Sequence, residues 1–83
     1  GAIYTAAQDS VSQAFAYARR DSWMKQTDLA NAIGKHQSYI SDIERGQRRI
    51  DVLELFAVAR AMGLKPVDLY ARLTRDVPLD FSL

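Results

Sequence analysis

The 83-residue sequence has no cysteine and one histidine, His36. The first absence excludes a disulfide framework and cysteine-based zinc sites, and it fits a reducing, cytoplasmic setting. The second leaves no histidine cluster, so neither a metal nor another cofactor is expected. No apolar run approaches the roughly 18 residues that spanning a bilayer needs, so no membrane partner is expected either. Four glycines and two prolines, scattered singly, leave no linker, repeat or low-complexity stretch. No Gly-rich phosphate loop, metal-ligand cluster or pair of buried carboxylates stands out. Gly1-Ala2 occupies the place of an initiating methionine, as processing or a cloning remnant would leave it, so the native start is open.

Apolar residues make up 48% of the chain and charged residues 25%. That balance is ordinary for one small globular domain and too apolar for disorder. The net charge of +1 hides an asymmetry. Between Arg19 and Arg49 lie the basic residues Arg19, Arg20, Lys25, Lys35, Arg45, Arg48 and Arg49 against only Asp21, Asp28, Asp42 and Glu44. The remainder of the chain is acidic on balance. A locally basic middle in a near-neutral chain predicts one anion-facing surface.

The apolar periodicity is helical nearly throughout. Tyr4, Ala7, Val11, Ala14, Phe15 and Ala18 recur at three- and four-residue spacing, predicting a helix over 5–20 with Thr5 and Gln8 as a capping box. A second helix is expected over 26–33, closed by Gly34, and a third over 37–45, closed by Gly46. Asp51 and Glu54 form a capping pair for a fourth, running through Leu55, Phe56, Val58 and Ala59 to Met62 and stopped by Gly63. Pro66 suits the first turn of a fifth that ends near Leu73. In the last segment Val77, Leu79, Phe81 and Leu83 alternate with Pro78, Asp80 and Ser82, a period of two that reads as an extended strand. A lone strand does not stand in water, so this tail is expected to pair with a partner or pack in a groove. The expected architecture is all-α: a compact five-helix domain over 1–76 and an extended C-terminal tail over 77–83.

Residues 26–45 form a short helix, a glycine turn and a second short helix, the order of a helix-turn-helix motif. Ala30 lets the two helices approach, Gly34 makes the turn, and Leu29, Ile33, Ile40 and Ile43 fill the wedge between them. With these residues in place, the stretch from Val11 to Leu73 resembles the Xre/Cro/phage-repressor family of bacterial DNA-binding domains. Ile43 to Arg49 looks like the segment following the family's recognition helix, Leu55 to Gly63 like its fourth helix, and Asp68-Leu69-Tyr70 like its last turns. The resemblance implies a double-stranded DNA partner and no enzymatic activity.

The third helix also reads on its own physics. At about 100° per residue, Gln37, Ser38, Ser41, Asp42 and Arg45 share an arc of about 140°, and Ile40 and Ile43 point the other way. One polar, hydrogen-bonding face suits the major groove. Gln37 offers a bidentate pair to adenine, Ser38 and Ser41 adaptable contacts, and Asp42 an acceptor for cytosine N4. Phosphate contacts are expected from Lys35, Arg45, Arg48 and Arg49, with Tyr39 as a hydroxyl donor. The resemblance adds Gln26, at the start of the second helix, as a phosphate contact. It also implies a structural ion pair between Arg19 and Glu44. Two departures from the family pattern stand out. Lys25 replaces the usual Ser or Thr cap, and Lys35 replaces an apolar turn residue. Asp42, which would repel phosphate, is expected either to read a base or to pair with Arg45.

A catalytic reading fails on geometry. His36, Ser38, Ser41 and Asp42 lie within one turn and helix, whereas triad partners converge from separate elements. One recognition helix reads few base pairs, so a homodimer on a palindromic operator is expected, with the protein acting as a repressor or autoregulator in a bacterial cytoplasm, nucleoid-associated or encoded by a phage or plasmid. The expected dimer interface is Leu64, Val67, Tyr70 and Leu73 of the fifth helix region with Val77, Leu79 and Phe81 of the tail. Two alternatives use the same fold: an antitoxin that holds a toxin, or a module that binds a protein partner.

Overall fold

Five helices account for nearly all the regular structure: α1 (Ala2–Asp21), α2 (Gln26–Ala32), α3 (Gln37–Glu44), α4 (Val52–Ala61) and α5 (Pro66–Thr74). The computed structural model describes residues 2–83, with side chains from residue 6 onward. Helix α1 begins at Ala2, ahead of the start expected at Thr5, and the Tyr4 and Thr5 side chains lie outside the described residues. Ile33 and Arg45 are the C-caps of α2 and α3 rather than members of them.

The caps follow from side-chain chemistry. The Asp51 carboxylate accepts from the Glu54 N–H at 2.7 Å and the Glu54 carboxylate accepts from the Asp51 N–H at 2.8 Å, a reciprocal box that starts α4. Helix α2 has only half of such a box. Asp28 accepts from the Lys25 N–H at 2.8 Å, but an ammonium has no lone pair with which to return the bond. Pro66 opens α5, where its missing N–H would be unpaired anyway. Between α2 and α3, Gly34 takes φ +70, a conformation in which a side chain would be strained.

The inward stripes of all five helices meet in one core. Phe15, Leu29, Ile40, Val58 and Leu69 are fully buried there, with Ile43 and Leu73 beside them. Helix α1 packs against α3 and α5, α2 against α3 and α4, and α4 against α5, so α1 supports one helix of the turn motif and α4 the other. An ion pair from Arg72 to Asp21 ties α5 to the end of α1.

The tail packs in a groove, one of the two outcomes expected of it, but not as a strand. No strand forms among the described residues. Instead the Val77 N–H donates to the Thr74 carbonyl at 3.0 Å and the Phe81 N–H to the Pro78 carbonyl at 3.0 Å. The physical reason is local. Pro78 fixes φ and offers no N–H to a ladder, and no neighbouring edge is present to pair with. The two turns lay Val77 and Phe81, both half-buried, along a groove lined by Ala7, Val11 and Tyr70.

Candidate nucleic-acid interface

Helix α3 leaves Gln37 and Ser38 exposed and Ser41 and Asp42 partly so, with its C-cap Arg45 also exposed, while Ile40 and Ile43 anchor it from below. Its pitch is set by a buried ion pair. Arg19, only 8% exposed, donates through Nε to Glu44 Oε2 at 2.6 Å and through Nη2 to Glu44 Oε1 at 2.9 Å. Its remaining Nη1 donates to the Met24 carbonyl at 2.8 Å, so one guanidinium grips α3 and the α1–α2 turn together. The Glu44 hydrogen bonds raise the Arg19 pKa against the lowering effect of burial, keeping the guanidinium charged.

From that pair a chain of side-chain bonds leads to the surface. Gln26 Nε2 donates to Glu44 Oε1 at 2.9 Å, and Gln37 Nε2 donates to Gln26 Oε1 at 2.6 Å. The direction of both bonds is forced. An ionised carboxylate only accepts, so Gln26 must turn its amide nitrogen inward and its oxygen toward Gln37. Gln37 then commits one N–H to Gln26 and keeps one N–H and its Oε1 facing outward. A donor and an acceptor side by side is what the N7/N6 edge of adenine requires. Sequence reasoning assigned Gln26 to phosphate. The structure engages its side chain inside the protein, a contact across 11 and 18 positions that no local pattern signals.

The basic residues sort into different places. Arg45 donates to Asp42 at 2.7 Å, so the acidic residue on this face is neutralised by its neighbour one turn on. Arg48 lies 4.6 Å from the Tyr39 ring centroid and pairs with Glu54 at 2.7 Å, and Lys35 Nζ lies 5.4 Å from the same ring. Burial, and then the Glu54 carboxylate beside it, push the Tyr39 phenol up to about 12. Glu54 is lowered to about 2, first by the Asp51 N–H and then by Tyr39 and Arg48. Arg49 lines the groove with Ala7, Tyr70 and Phe81, and none of the outward α3 residues lines that groove.

The expected interface of α5 needs correction. Leu73 is 4% exposed and therefore not free to meet another chain, and Leu64 is partly buried against the core. Val67 and Tyr70 are exposed, as is Leu79, whereas Val77 and Phe81 are half-buried along the chain's own groove. Sequence reasoning missed Val52, Leu53 and Phe56, which α4 leaves exposed. Among the described residues no cluster of His, Asp or Glu could hold a metal, and no helix is long and apolar enough to cross a membrane.

Comparison with known proteins adds the family dimension. The helix-turn-helix family profile matches residues 16–69. The chain is 36% identical over 59 residues to y4dJ, an HTH-type transcriptional regulator of Sinorhizobium fredii, covering 71% of this chain and 77% of that one. It is 41% identical over 46 residues to the control protein C.BamHI of Bacillus amyloliquefaciens, covering 55% of this chain and 57% of that protein. Among solved structures, an XRE-family-like protein from Pseudomonas syringae superposes with a TM-score of 0.77 at 30% identity, over 93% of this chain and 94% of the other.

Proposed function

The chain belongs to the Xre/Cro-type helix-turn-helix family, whose members are DNA-binding transcription regulators and not enzymes, and from that premise we propose that it is a homodimeric repressor or autoregulator that reads a palindromic operator. In this reading α3 lies in the major groove, Gln37 addresses an adenine, and Ser38 and Ser41 make the neighbouring contacts. Lys35, Arg45 and Arg48 meet the phosphates and hold the register. The observation that carries the reading is the hydrogen-bond chain Arg19–Glu44–Gln26–Gln37, which fixes the outward amide from a buried charge. A side chain held this way loses little freedom on binding, which is where specificity is gained.

Exposed apolar residues on α4 and α5, Phe56, Val67 and Tyr70, are the proposed self-contact. Two copies would then present their α3 helices to half-sites about 34 Å apart, one turn of the duplex. The protein would act where its DNA is, in the cytoplasm of a bacterium, and likeness to the control protein C.BamHI supports a regulatory role. The test is sedimentation of the chain with the duplex that it selects from a randomised pool. Two chains per duplex on inverted half-sites is the expected result. One chain per duplex, or a direct repeat, contradicts the dimer.

A further inference from the structure

Trp23 combines a left-handed backbone, which the fold imposes, with an indole that the fold leaves unpacked. Its φ of 59 puts a bulky side chain in the left-handed region where glycine is at ease. Its side chain is 94% exposed, so no packing compensates. Strain of this kind persists only where the surroundings over-determine the backbone, and here they do. The Trp23 N–H donates to the Arg20 carbonyl at 2.9 Å, and the Met24 N–H to the Arg19 carbonyl at 3.3 Å. Ser22 Oγ donates to the Ala18 carbonyl at 2.8 Å, and Arg19 holds the Met24 carbonyl from the far side at 2.8 Å.

We propose that Trp23 is a DNA-backbone contact, its indole packing on the sugar–phosphate strand beside the groove that α3 enters and its Nε1–H donating to a phosphodiester oxygen. This rests on the DNA-binding reading above. Three observations point to that occupant. First, the turn is registered to the recognition helix, because the guanidinium that holds Met24 also holds Glu44 of α3. Three residues further on, within about 11 Å of chain, Gln26 touches Gln37. Second, the turn's sequence neighbours include the exposed cations Arg20, which stacks 5.9 Å from the Tyr17 ring centroid, and Lys25, while the carboxylates of Asp21 and Asp28 are engaged by Arg72 and by the Lys25 N–H. Third, an indole only donates and a phosphodiester oxygen only accepts, so the pairing is sequence-independent and complements base reading by Gln37.

Trp23 is the only tryptophan, so its emission reports on this turn alone. The experiment titrates the full chain with the selected duplex at low salt. Indole emission is followed beside the anisotropy of the labelled duplex, and the titration is repeated with Trp23→Gly and Trp23→Phe. The expected result is quenching that saturates with the anisotropy. Trp23→Gly should melt higher than wild type, because glycine relaxes the turn, yet bind about three- to tenfold more weakly, as loss of one net hydrogen bond implies. Trp23→Phe, which keeps an apolar ring but no donor, should fall between. If the duplex binds wild type and Trp23→Gly equally and emission does not change, Trp23 is off the DNA, and the proposal fails while the DNA reading stands. If Trp23→Gly instead alters the sedimentation coefficient of the free protein, the indole meets protein and the proposal also fails. If wild type binds no duplex, both readings fall together.

Discussion

Replacing Glu44 with alanine strips Arg19, a residue only 8% exposed, of two of its three hydrogen bonds. Stranding a buried charge costs roughly 3–5 kcal/mol, and the surviving bond to the Met24 carbonyl places the expected loss near the lower bound, about 3 kcal/mol. For a domain of this length that corresponds to a fall in Tm of about 12–24 °C. Thermal unfolding followed by far-UV circular dichroism reads it directly. Replacing both partners, Arg19→Met with Glu44→Leu, removes the charges together and should recover most of the loss, since an apolar pair of similar volume leaves nothing stranded. The double variant should nevertheless bind DNA less selectively than wild type, because Gln26 no longer has a carboxylate to orient it and Gln37 loses its fixed partner. A Glu44→Ala protein that melts within a few degrees of wild type would refute the reasoning. So would a double variant no more stable than the single one.

Asp51→Ala removes the acceptor of the α4 capping box, and urea unfolding should show a loss of about 1 kcal/mol. Glu54 sits well below the ordinary carboxylate value of 4.5, at about 2, so the stability it contributes is present above about 4.5 and drains away as pH falls toward about 2. Acid titration of the folded fraction should therefore lose part of its slope in that window when Glu54 becomes Gln, and an unchanged acid limb would contradict the assignment. Tyr70→Glu places a charge on the exposed α5 face and should dissociate the proposed dimer in sedimentation experiments without lowering Tm by more than a few degrees.

The helices were legible because their ends carry chemistry. Asp51 with Glu54, Pro66, Gly34 and Gly63 mark boundaries that local rules can read, and the Leu29, Ile33, Ile40 and Ile43 spacing identifies the wedge of the turn motif. Helix α5 was harder. Leu69 and Leu73 occupy one face and Val67 and Tyr70 another, and periodicity alone does not say which apolar face turns inward. The tail misled for a related reason, since alternation registers only when an edge is available, and Pro78 favours turns. The Gln26–Gln37 and Gln26–Glu44 bonds join separate helices, and Trp23's left-handed backbone is imposed by hydrogen bonds around it; neither leaves a trace in local pattern.

The central claim is that α3 reads DNA through an amide held from within the protein. The measurement that tests it most directly is selection from a randomised duplex pool with wild type and Gln37→Ala in parallel, each followed by sequencing. The account predicts an enriched inverted repeat for wild type, with the preference for adenine lost at one position per half-site in the variant and the flanking positions retained. Identical motifs from the two proteins, or enrichment by neither, would contradict it.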